Sequence, residues 1–157
     1  MAQEPLNKLI SQGIWQHIGA EHDAFIAVDR AYMPVATGGF NATLRDAARF
    51  GMMIRDRGKF DDQQVVPAAW LDAHLKLSQR DIDNMSLNPV YKTMPWLAYR
   101  NMWWILDADA EEFCAVGIHG QVIYINRSAD VVIVWYSSQP DASAAASPHF
   151  LPKLSAA

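Results

Sequence analysis

A single cysteine, a shortage of basic side chains and the lack of any long apolar run set the first limits on this chain of 157 residues. Cys114 has no partner for an internal disulfide and cannot build a thiolate metal cluster. The five histidines show neither His-x-His nor His-x-x-x-His spacing, so neither a metal nor another cofactor is expected. With 13 Lys plus Arg against 17 Asp plus Glu, the net charge of −4 leaves no basic stripe, and a nucleic-acid partner is excluded. The longest apolar stretch, residues 131–136, is far below the roughly 18 residues of a spanning helix, so no membrane role is expected. Residues 1–8 are polar and carry no secretory signal, which favours a soluble chain in the cytoplasm. What is present is the 51% hydrophobic content of an ordinary globular domain.

The chain divides into a helical region at about 5–76, a loop at about 77–97, a sheet at about 98–137 and a helical tail at about 140–157. Leu6, Leu9, Ile10, Ile14 and Ile18 share one face of a helix over 5–17 that Gly19 ends. The Thr43 hydroxyl is placed to accept the Asp46 amide and open a second helix, whose apolar stripe is Leu44, Ala47, Ala48, Gly51 and Ile54. Gly58 closes it, 59–64 reads as a polar turn, and Pro67 starts a third helix with Trp70, Leu71 and Leu75 on its buried side. Pro89 and Pro95 make 77–97 a surface loop.

Residues 98–106, 113–118, 121–126 and 131–137 are rich in Val, Ile, Tyr and Trp and read as strands. The second and third can be one strand interrupted at Gly120, which gives an antiparallel sheet of about three strands and an α+β fold. Residues 127–130 form the turn into the last strand. That strand is apolar without alternation, the pattern of a strand covered on both faces and flanked on both sides, and the chain has too few strands to supply both flanks. The tail begins alanine-rich, while Pro148 and Pro152 oppose a long helix.

Asp61-Asp62 and Glu111-Glu112 fall in turns and read as solvated carboxylates, and Trp96, Trp103, Trp104 and Trp135 read as core. Gly117-Ile118-His119-Gly120-Gln121 is more pointed, because it puts an imidazole and a glycine where packing favours Val or Ile. Either a ligand lies along the backbone there, with amide hydrogens exposed to an oxyanion, or the segment is a bulge with a hydrogen-bonded histidine.

Residues 38–46 (GGFNATLRD), 48–51 (ARFG), 64–67 (QVVP), 99–104 (YRNMWW) and 117–121 (GIHGQ), in this order, resemble the serine β-lactamase-related family, nearest to the 6-aminohexanoate-dimer hydrolases and related esterases. The resemblance runs from about Leu6 to Pro140. It implies an incomplete β-lactamase/transpeptidase-like fold and acyl transfer through a serine ester. It also matches Ile118, His119 and Gly120 to the family's strand motif Lys-Thr-Gly, with Gln121 lending a backbone amide to the oxyanion hole. Ile118 replaces the motif's lysine, so a substrate carboxylate has no cation there, and linear amides or esters fit better than penicillins.

None of the serines has a lysine three residues later, so the Ser-x-x-Lys nucleophile motif is absent. Tyr99-Arg100-Asn101 spells Tyr-x-Asn but begins a tryptophan-rich strand and reads as chance. The resemblance therefore implies the C-terminal part of a single domain, inactive by itself and without catalytic residues of its own. Its partners would be the missing N-terminal part or a second chain at the sheet edge, and an amide or ester substrate in the parent. The alternatives are a non-catalytic interaction module on the same fold, or a hydrolase using another serine or Cys114 beside a base.

Overall fold

The computed structural model describes residues 4–142 except 37, 90 and 93. The expected tail helix at 140–157 lies almost wholly outside the described residues.

Helix α1 (Leu6–Gly13) follows Pro5 and gives way to a 3-10 turn at Trp15–His17, so the first helix is shorter than its apolar spacing suggests. Ile18, immediately after, is fully buried. Strands β1 (Phe25–Ile26) and β2 (Phe40–Asn41) pair across the irregular segment. Helix α2 (Leu44–Arg55) opens as its sequence dictates, with the Thr43 hydroxyl accepting the Asp46 amide at 3.1 Å. Residues 59–64 fold as a small hairpin, β3 (Lys59–Phe60) and β4 (Gln63–Gln64), and Pro67 precedes the short α3 (Ala68–Asp72). Within α3, Leu71 is buried but Trp70 is 63% exposed, against the expectation that both face the core.

The expected loop at 77–97 contains a helix, α4 (Gln79–Leu87). Its polar composition hides it, but Ser78 and Asp81 form a reciprocal capping box that stabilises its first turn. Met85 anchors α4 to the sheet.

The sheet has five strands in sequential antiparallel order: β5 (Ala98–Arg100), β6 (Trp103–Asp107), β7 (Glu112–Gly117), β8 (Gln121–Asn126) and β9 (Val131–Trp135). The expectation of about three fails at two turns. Asn101 and Met102 both take positive φ (50° and 70°) and fold 98–107 into a hairpin. A second reversal at 118–120 separates β7 from β8.

Alternation along the strands gives each face its own core. Ile105, Phe113 and Ile125 pack with Ile18, Met53, Ile54 and Leu71 on the α2–α3 side. Cys114, Val122 and Tyr124 pack with Met85 and Trp96 on the α4 side. Trp96 stacks on Trp104 with centroids 4.0 Å apart, in keeping with a core role, whereas Trp135 is 45% exposed. Gly51 lets α2 approach the sheet: a Cβ there would lie 2.7 Å from Val132 Cγ1 and 3.3 Å from Ile123 Cγ2. Among the described residues β9 pairs with β8 alone and lies at an edge, in keeping with a chain that has too few strands to flank it on both sides.

At the end of the β7–β8 pair away from the 118–120 turn, four side chains close a ring. Arg57 pairs with Asp72 and with Glu111 (2.6 Å), and Arg127 reaches Asp72 at 3.2 Å and Glu111 at 3.4 Å. Glu111 is thus bound by two arginines rather than simply solvated, and its neighbour Glu112 accepts the Tyr124 hydroxyl at 2.8 Å. Arg127 also donates to the Ile54 carbonyl at 2.9 Å, fastening the last turn of α2. Its side chain is only 5% exposed while both carboxylates retain some solvent, so Arg127→Met should lower stability by about 2 kcal/mol, below the range for a fully buried pair. Urea unfolding measures this. A midpoint indistinguishable from wild type would show that the ring contributes nothing.

Candidate functional site

The five residues singled out in the sequence, 117–121, form the reversal between β7 and β8, with Gly117 paired to Gln121. Gly120 therefore lies in a hairpin loop and not in a strand interior. His119 (φ 60°) and Gly120 (φ 86°) both take the left-handed conformation that the reversal requires. Ile118 is 66% exposed, His119 half-buried and Gly120 buried.

The segment after β9 straps across this loop. The Ser137 hydroxyl lies 2.9 Å from the carbonyl oxygens of both His119 and Gly120, one of which accepts its proton at a time. The Gln139 amide donates to the His119 carbonyl and the His119 amide to the Ala142 carbonyl, each at 3.0 Å. His119 Nδ1 is 2.8 Å from the Gln139 carbonyl oxygen. A Cβ on Gly120 would overlap the Ser137 hydroxyl and sit 2.9 Å from Gln139 Cγ. The side of Gly120 on which a Cβ would stand is thus filled by the protein's own strap, and of the loop amides that of His119 is already engaged. Ser137 and Gln139 escaped the sequence reading because nothing in their local sequence links them to a loop 17 and 20 residues earlier.

The other candidates serve the scaffold. Tyr99 lies against Trp104 with centroids 4.3 Å apart, and Arg100 pairs with Asp81 at 2.8 Å, so Tyr99-Arg100-Asn101 is accounted for by packing and a turn. Cys114 is sealed from solvent, and burial pushes its thiol up to about 12, so no thiolate is available as a nucleophile. Ser78 and Ser86 direct their hydroxyls to Asp81 and to the Asp83 carbonyl, and Ser11 accepts from Gln16. Among the described residues no group of three His, Cys, Asp or Glu could hold a metal ion, and no helix is long and apolar enough to cross a membrane.

No family model matches the chain. It is 33% identical over 132 residues to the 6-aminohexanoate-dimer hydrolase of Paenarthrobacter ureafaciens, an alignment that covers 84% of this chain and 33% of that protein. A solved chain from Bacillus anthracis, described as a candidate 6-aminohexanoate-dimer hydrolase, superposes with a TM-score of 0.75 at 30% identity over 90% of this chain and 35% of its own. A candidate β-lactamase from Bacteroides dorei DSM 17855 shares the fold (TM-score 0.59, 16% identity) over 95% of this chain and 50% of its own. Over most of its own length the chain is thus a homologue of 6-aminohexanoate-dimer hydrolase, of which it spans about a third, and its fold is β-lactamase-like.

Proposed function

We propose that the chain is the C-terminal part of a serine hydrolase acting on linear amides or esters. In this reading the 117–121 hairpin forms one wall of the cleft, with Ile118, His119, Gly120 and Gln121 against the substrate. The likeness to 6-aminohexanoate-dimer hydrolase over 84% of the chain carries the reading, and the missing Ser-x-x-Lys agrees with a chain that spans a third of that relative. Because the His119 amide is engaged by Ala142, the hydrogen bond to the substrate's oxyanion falls to a neighbouring amide of the loop, with Gln121 the one that the motif match assigns. Among the described residues β9 has a strand neighbour on one side only, which supports a partner strand on the other, from the rest of the parent domain or from a second chain.

The chain by itself is expected to be unreactive toward a fluorophosphonate probe and to leave a chromogenic ester intact. Joined in one polypeptide to an N-terminal segment carrying Ser-x-x-Lys and Tyr-x-Asn, it should gain both activities. Covalent labelling of any serine in the isolated chain overturns this reading, since the nucleophile would then be internal.

A further inference from the structure

The Gln139 carbonyl oxygen carries no hydrogen, so the 2.8 Å contact with His119 Nδ1 requires the proton to sit on Nδ1. In the neutral ring this leaves the lone pair on Nε2. The surroundings allow the ring little freedom. The His119 amide is held by Ala142, its carbonyl by Gln139 and Ser137, and its φ of 60° is one that a residue with a side chain keeps only when its neighbours enforce it. Among the described residues Nε2 has no partner. The half-buried ring stands next to Ile118, which is 66% exposed. The loop thus offers one fixed hydrogen-bond acceptor beside an apolar surface, a combination suited to an alkyl chain that carries a donor.

We propose that His119 Nε2 accepts a hydrogen bond from the N–H of a linear amide substrate and so sets a preference for amides over esters of the same shape. The proposal rests on the hydrolase reading above. An ester offers the same carbonyl and the same methylenes but no donor, and it leaves the Nε2 lone pair unmatched.

The test uses the full-length hydrolase that contains this chain, with a secondary amide and an ester of the same acyl group, in the wild type and in His119→Asn. Asparagine keeps a side-chain N–H for Gln139 and tolerates positive φ, but its amide ends short of the Nε2 position. The ratio of kcat/KM for the amide to kcat/KM for the ester should fall about tenfold, the scale of one hydrogen bond. An unchanged ratio, whether both activities drop together or neither drops, overturns the proposal and leaves His119 with the strap alone. A wild-type enzyme that turns over neither substrate overturns the hydrolase reading first, and the proposal with it.

Discussion

Replacing Asp46 by alanine should cost about 3–5 kcal/mol, the range for removing one partner from a buried charged cluster. The carboxylate is fully buried and gathers a loop, a cap and a helix onto its two oxygens. It accepts the backbone amides of Glu21 (2.8 Å) and His22 (3.2 Å) and the Thr43 hydroxyl (2.7 Å), and it pairs with Arg49 at 3.2 Å. Burial by itself raises the carboxyl's pKa, yet the Glu21 amide, the Thr43 hydroxyl, the His22 amide and the Arg49 cation together hold it below the usual range. Alanine leaves all of these donors without their acceptor, and Arg49 keeps only Glu21. Against a total stability of about 5–15 kcal/mol this is a large fraction. Thermal melting of Asp46→Ala and Asp46→Asn checks it. Asparagine retains one acceptor oxygen and should lose roughly half as much, and a loss under about 1 kcal/mol for alanine would show that the loop finds other partners.

Asp46 also marks the boundary of what the sequence discloses. The bond from the Asp46 amide to Thr43 spans three residues and was legible from type and spacing. The bonds to Glu21 and His22 span 25 and 24 residues across an irregular segment, and no local pattern announces them. The same distinction governs the sheet. Strand residues were legible from their β-branched and aromatic content, but the hairpin between β5 and β6 turns on Asn101-Met102. Methionine is a poor turn former, so tertiary packing on Trp103 and Trp104 outweighs local preference there. Helix α4 was present as a Ser78-x-x-Asp81 signal and was masked by the flanking prolines.

At the candidate site the sequence located the loop but not the cause of its glycine. Gly120 was open to two readings, a ligand's approach or a local bulge, and what settles its conformation is Ser137, which only the return of the chain after β9 brings near. The edge status of β9 was half legible. Its unbroken apolar run correctly indicates cover on both faces, with Val132 on the α2 side and Val131 and Ile133 on the α4 side. Its second hydrogen-bonding neighbour is not found among the described residues.

Acidifying the protein from pH 6.5 to pH 4 should remove about 3 kcal/mol of stability through His74 alone, because each pH unit separating the folded from the unfolded pKa is worth about 1.36 kcal/mol. His74 is 1% exposed and lies edge-on to Phe113 with centroids 4.4 Å apart. Nε2 has no hydrogen-bond partner among the described residues. Burial, and then the Arg127 cation, lower its pKa from 6.5 to about 4, so the ring is neutral when folded. In the unfolded chain it takes up a proton near pH 6.5. Between the two values the unfolded state binds more protons, so stability is fully present above about pH 6.5 and is lost as the pH falls toward 4. Asp46, whose carboxyl is held below its ordinary 3.8, contributes stability above that value and loses it only as the pH falls further, so the two losses separate along the pH axis. Urea midpoints at pH 7, 5.5 and 4.5 should trace the decline, and His74→Phe, which removes the titrating group and keeps a ring against Phe113, should flatten it over this interval. A wild-type curve already flat between pH 6.5 and 4 would mean that the imidazole is protonated or solvated in the folded protein, and that Arg127 does not stand against a neutral ring.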